Sequence, residues 1–163
     1  MESAEILVLQ ASYTNPVHAE AICLVLNSYA EDPMGGGEPL DAEVLRQLPA
    51  ELAKRSFAFS VVAFVGGEPA GLVNCFEGFS TFACRPLVNV HDVAVVPKFR
   101  GLGLSQKMLQ KVEDIARQRG CCKITLEVLE GNDVAQASYA KFGFAPGMFD
   151  PAHGRMLFWI KTL

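Results

Sequence analysis

His91 and Asp92 stand side by side in the middle of an apolar stretch, VNVHDVAVV, Val88–Val96. An imidazole can accept a proton near neutral pH, because its unperturbed pKa of about 6.5 leaves it mostly neutral at pH 7. A carboxylate can hold a cation or orient a neighbour, but burying it without partners is costly. Adjacent residues of a strand point to opposite faces. One of the pair is therefore expected to face a substrate and the other to be hydrogen-bonded within the fold. His91 is the one expected on the substrate side, as a base acting directly or through water.

The next residues, PKFRGLGLS, Pro97–Ser105, suggest what lies beside that pair. Glycines let successive backbone N–H groups turn toward one point, and a helix N-terminus adds partial positive charge there. Lys98 and Arg100 add formal charge, so the loop suits a pyrophosphate. Two familiar loops do not fit. No Lys-Ser or Lys-Thr pair follows the glycines, as a nucleotide P-loop requires. Gln106 stands where a dinucleotide fingerprint needs its third glycine. The five cysteines form no disulfide framework, and the adjacent Cys121 and Cys122 lack a second pair to complete a zinc site. They read as reduced thiols, and no metal is expected.

The elements that must position these residues follow from periodicity. Glu5–Ala11 reads as a first strand. Asn15 and Pro16 open a helix whose apolar residues recur at helical spacing. EDPMGGGEPL is a loop, and DAEVLRQLPAELAKR a second helix broken or ended near Pro49. SFAFSVVAFV and EPAGLVNCFEG, joined by Gly66-Gly67, read as a hairpin. Leu87–Val96 is a central strand. Gly103–Gly120 is the clearest helix, with Leu104, Met108, Leu109, Val112, Ile115 and Ala116 on one face. CKITLEVLE is a further strand, NDVAQASYAKFGF a short helix capped by Asn132, and RMLFWIKTL a closing strand. With no repeat and no linker, residues 1–163 form one α/β domain.

This order resembles the GCN5-related N-acetyltransferase (GNAT) superfamily. The resemblance rests on Arg100, Gly103 and Ser105 before the long helix, then on Asn132, Ala135, Tyr139, Gly143 and Phe144. It covers roughly Leu87–Phe144. Ser105 stands where the family usually has Gly or Ala, and its hydroxyl could add a phosphate contact. FSTF at Phe79–Phe82 and the closing HGRMLFWIKTL resemble the diamine acetyltransferase branch. In that branch His91 takes a glutamate position and Asp92 an aspartate position.

The resemblance implies a single-domain GNAT-type fold: a mixed, mostly antiparallel sheet with splayed central strands and about four flanking helices. It implies transfer of an acetyl group from acetyl-CoA to a primary amine by direct attack in a ternary complex. Arg100, Gly101, Leu102, Gly103, Leu104, Ser105 and Gln106 would hold the pyrophosphate. Val93, Ala94 and Val95 would pair with the pantetheine arm, and Asn132 and Ala135 would meet it from the other side. Tyr139 would protonate or hydrogen-bond the leaving thiolate. Tyr29, Glu31, Asp32, Phe79, His91, Asp92 and His153 would form the acceptor side. Asn74, Phe76, Glu77 and Phe82 could help shape that pocket. The acidic loop containing Glu31, Asp32, Glu38 and Asp41 would favour a small cationic amine. Acetylation of protein lysines or N-termini, and a non-catalytic acyl-CoA-binding module, are the competing readings.

Net charge is −4, which argues against general binding to nucleic acid or an anionic membrane. No apolar run reaches the roughly 18 residues of a membrane span. The start, MESAEILVLQ, lacks a basic region and a long apolar run, so no leader is expected. A cytoplasmic location is expected, and a homodimer is open because dimers are common in the superfamily.

Overall fold

The computed structural model of the protein describes residues 4–147 and 150–163. Met1–Ser3, which entered the expectation about a leader, lie outside the described residues. The described elements are β1 (Ile6–Gln10), α1 (Pro16–Glu31), α2 (Ala42–Ala53), β2 (Ala58–Val65), β3 (Glu68–Ser80), β4 (Arg85–Val95), α3 (Leu104–Gln118), β5 (Ile124–Leu126) and α4 (Asp133–Phe142). The strands form one sheet in the order β1-β2-β3-β4-β5. The first four are antiparallel neighbours, and β5 lies parallel to β4. Parallel pairing needs a crossover connection, and α3 supplies it.

Each face of the sheet carries its own core. Six residues of α3, Leu104, Met108, Leu109, Val112, Ile115 and Ala116, are buried, and they are the six the helical spacing selects. Most of them pack with Phe59, Val61, Val73, Cys75, Val88 and Val90 on one face. Each large apolar side chain buried in this way contributes about 1.5–3 kcal/mol. Gly71 lets α3 approach closely, since a Cβ there would stand 2.8 Å from the Met108 Cε. The opposite face packs Ala21, Ile22 and Val25 of α1 and Leu52 of α2 against Ala58, Val62, Phe64, Leu72 and Ala94.

Local chemistry explains the boundaries. The Asn15 carboxamide accepts the Val17 N–H at 2.9 Å, with Pro16 at the first helical position. Asn132 caps α4 by accepting the Ala135 N–H at 3.2 Å. Gly66 and Gly67 make the β2–β3 turn with φ of 57° and 82°.

Two expectations are corrected. Pro49 does not break α2, which continues to Ala53. Proline deprives the carbonyl four residues back of its donor, and the freed Leu45 carbonyl instead accepts the Cys23 thiol at 3.2 Å. The closing strand is also absent. Arg155–Leu163 is irregular, and Met156, Leu157, Phe158, Trp159 and Ile160 are exposed. A strand needs a partner edge as well as a β-prone sequence. β5 is only three residues long, and no described strand pairs with its outer edge. Arg155 is held instead by Glu130 at 2.9 Å.

Candidate active site

The β4–β5 ladder covers only Val88–Val90 against Ile124–Leu126, while β4 continues to Val95. The two strands part there, and the β4 edge beyond Val90 is left without a strand partner on that side. A cleft of about 440 Å³ opens at this point, between the end of α1, β4, the start of α3, and α4. Val93, Ala94 and Val95 line it from the sheet, and Asn132, Ala135, Ser138 and Tyr139 from α4 and its cap.

The start of α3 faces the cleft through Arg100, Gly101, Gly103, Leu104 and Ser105. Gly101 and Gly103 hold φ of 85° and 72°, a left-handed backbone that glycine adopts without steric cost. No side chain caps α3. The first N–H groups of a 15-residue helix are therefore unused by a capping side chain, at the positive end of its dipole. An anion with several oxygens is the natural complement of that donor set. The Arg100 guanidinium, 3.1 Å from the Asp32 carboxylate, sits beside it. Lys98 is turned away, onto Glu68 and the Phe99 ring.

Several expected residues lie elsewhere. Leu102, Gln106, Glu31, His91 and Asp92 are outside the cleft lining; the Gln106 amide donates to the Ser138 carbonyl at 2.8 Å and ties α3 to α4. The Ser105 hydroxyl shares a hydrogen bond with that of Ser138 at 3.0 Å. Phe79 and Phe82 are exposed, Glu77 pairs with Arg119 at 3.0 Å, and His153 is exposed in a short turn, 3.7 Å from Asp150. The acidic loop is partly spent on structure. Asp41 caps α2 by accepting the Glu43 N–H. Asp32 accepts the Met34 N–H as well as the Arg100 bond, and these two bonds lower its pKa. Glu31 is within 3.4 Å of the Asn27 amide. Ser28, Met34, Phe99 and Ser138 line the cleft without having been singled out by type or motif.

His91 and Asp92 are arranged differently from a regular strand. Cys75 pairs with Val90 and Asn74 with Asp92, so His91 is an extra residue, a β-bulge. Val90 and Val93 pack on the α3 face, and Ala94 on the α1 face. The bulge therefore puts both His91 and Asp92 on the α1 face, where alternation had separated them. The His91 ring is exposed and meets the Phe76 ring edge-on at 5.3 Å between centroids. Asp92 is half-buried and accepts the Asn74 amide at 3.0 Å.

Tyr139 packs edge-on against Phe144 at 6.0 Å. Burial raises its pKa, and the neighbouring Tyr29 adds to this. Burial also raises the pKa of Tyr29, with Asp92 and Asp32 contributing, and that of Tyr13. All three thus keep their protons longer in the folded chain than in the unfolded one, where tyrosine titrates near 10. Stability from this source is complete below about pH 10 and is lost as pH rises through the higher folded values. The melting temperature should fall from about pH 10 upward, and less steeply in Tyr139→Phe. Thermal melts between pH 8 and 11 check this, and equal slopes for the two proteins would exclude Tyr139 as a contributor.

A family model described as acetyltransferase (GNAT) family matches residues 24–144. The chain is 31% identical over 125 residues to the thialysine N-epsilon-acetyltransferase of Caenorhabditis elegans, covering 76% of this chain and 75% of that protein. It is 33% identical over 84 residues to the protein of that name in Sus scrofa, covering 47% of this chain and about half (48%) of that relative. Among solved structures, a probable acetyltransferase superposes with a TM-score of 0.78 at 19% identity, covering 96% of this chain and 99% of that one. An aminoglycoside N-acetyltransferase, AAC(6')-Iy, in complex with CoA, superposes with a TM-score of 0.76 at 17% identity, covering 99% and 98% of the two chains.

Proposed function

The chain belongs to the acetyltransferase (GNAT) family, and from that premise we propose that it moves the acetyl group of acetyl-CoA to the primary amine of a small cationic molecule. The observation that carries this reading is the uncapped start of α3, which opens into the same cleft as Tyr139. Acetyl-CoA would supply the acetyl group as a thioester. The residues present suit it: Arg100 and the backbone from Gly101 to Ser105 would hold its diphosphate. The free edge of β4 at Val93–Val95 would pair with its amide-bearing arm as a further strand would. Asn132 and Ala135 stand across the cleft.

The acceptor would enter from the α1 side, past Tyr29 and Asp92. Asp92 offers a carboxylate to an ammonium, and the bulge keeps His91 on the same face, open to solvent. An alkylammonium with a pKa near 10 must lose a proton before it attacks. His91 would take that proton through solvent, and Asp92 would hold the amine in line. Tyr139, protonated at neutral pH, would donate a hydrogen bond to the departing sulfur. The relatives named for the ε-amine of thialysine suggest an amine at the end of a flexible side chain.

Thiol release from acetyl-CoA, measured across thialysine, lysine, diamines, aminoglycosides and lysine peptides, tests the proposal. A small cationic amine should give the highest kcat/KM. Release with peptides alone would point to protein acetylation. No release with any acceptor, despite cofactor binding, would point to a non-catalytic module.

Asp32 supplies a further prediction. Its carboxylate holds Arg100 and places negative charge beside the proposed diphosphate site. Asp32→Ala should lower the KM for acetyl-CoA by about two- to fivefold, more at low salt. A raised KM in Asp32→Ala would show that Asp32 positions Arg100 for the cofactor.

A further inference from the structure

A row of polar side chains crosses the apolar sheet on its α1 face. Tyr13, in the β1–α1 connection, lies 2.9 Å from the Ser60 hydroxyl of β2. Ser60 donates to the Asn74 carboxamide oxygen of β3 at 2.6 Å. The Asn74 amide nitrogen donates to the Asp92 carboxylate of β4 at 3.0 Å. The register makes this one line, since Ser60 pairs directly with Asn74 and Asn74 directly with Asp92. Ser60 is wholly buried and Asn74 is 4% exposed. The surrounding positions on this face are Val62, Phe64, Leu72 and Ala94, so polar groups here are costly unless every one is paired.

The direction of every bond is determined by chemistry. An ionised carboxylate only accepts, so the Asn74 nitrogen must face Asp92 and its oxygen must face Ser60. That oxygen also only accepts, so Ser60 must donate to it. Ser60 has one proton, so Tyr13 must donate to Ser60. All three donors therefore point along the row to a single acceptor, and such chains polarise one another. The β-bulge completes the device. Continuing the register from the Cys75–Val90 pair without it would set His91 opposite Asn74 and turn Asp92 into the α3 core.

We propose that Tyr13, Ser60 and Asn74 are positioning residues that hold the Asp92 carboxylate on the α1 face, next to the cleft-lining Val93–Val95, for the acceptor, and so set affinity for a cationic amine. This rests on the acceptor assignment made above for Asp92. None of the three touches the reacting atoms; each acts through the next.

The test pairs kinetics with a measurement that needs no substrate. Ser60→Ala lets the Asn74 carboxamide turn and removes the donor that fixes it. The KM for the best amine should rise about tenfold while the KM for acetyl-CoA stays within about twofold, and Ser60→Thr should restore it. Tyr13→Phe should act in the same direction, less strongly. In an Asp92→Asn background, Ser60→Ala should add less than about twofold. An undiminished effect in that background, or equal loss for both substrates, would overturn the proposal. In the free protein, the Asn74 side-chain amide protons should exchange slowly with solvent by NMR, and faster in Ser60→Ala and in Asp92→Ala. Unchanged exchange in both variants overturns the row as a holding device. If the wild type acetylates no amine, the proposed function fails, and the exchange measurement still decides whether the row holds Asp92.

Discussion

Tyr139→Phe is expected to lower kcat about tenfold or more while leaving acetyl-CoA affinity nearly unchanged, a loss of at least about 1.4 kcal/mol confined to the transition state. The ring would stay in place, because its packing against Phe144 uses the aromatic face and edge, not the hydroxyl. Only the O–H is removed. A raised pKa keeps that group protonated at neutral pH, so its contribution is a donated hydrogen bond to charge that develops as the sulfur leaves. Ground-state binding of a neutral thioester gains little from the same donor. Steady-state kinetics with the best amine, beside cofactor binding by calorimetry, checks both halves. An unchanged kcat would remove Tyr139 from the chemistry, and a matching loss of cofactor affinity would make it a binding residue.

The second large effect concerns Asp92. Asp92→Asn should lower kcat/KM for a cationic amine by about a hundredfold, because the amide neutralises the only charge in the Tyr13–Ser60–Asn74–Asp92 row that attracts an ammonium. The KM for acetyl-CoA should change little. His91→Ala should cost about threefold or less at high pH, where free amine is abundant, and more toward neutral pH, where a proton acceptor matters. That contrast separates holding the amine from deprotonating it. Equal losses at all pH values in His91→Ala would mean that the imidazole contributes packing on Phe76 and no proton transfer. A cost in Asp92→Asn below about threefold would remove Asp92 as the acceptor anchor.

Much of the architecture is legible in the sequence. The buried face of α3, the caps at Asn15 and Asn132, and the Gly66-Gly67 turn follow from local rules: helical spacing, a side-chain acceptor before the first turn, a turn that needs positive φ. The pairing of the Arg100–Ser105 loop with the Asn132–Phe144 helix was readable as a resemblance. Gln106 and Leu102 were not separable from their neighbours, because a helix start presents successive residues in different directions and only the packing of α4 says which direction is the cleft. Pro49 stays inside α2 for a related reason. Its cost depends on whether the freed carbonyl finds a donor, and the donor, Cys23, lies 22 residues away from Leu45 on another helix.

What the sequence determined by itself is the set of elements, the apolar faces that bury them, and the presence of a glycine-flanked helix start beside ionisable residues, since each depends on groups a few positions apart. Tertiary structure alone decided where Asp92 and His91 point. Strand alternation sets them on opposite faces, and one extra residue in β4, visible only against the β3 register, returns both to one face. It also decided that Tyr13, Ser60 and Asn74 form one row ending at Asp92, because cross-strand neighbours are far apart in the chain and meet only when the register is made. The apolar closing segment shows the same division: its composition is that of a strand, but a strand forms only when it pairs with another, and no described strand pairs with it.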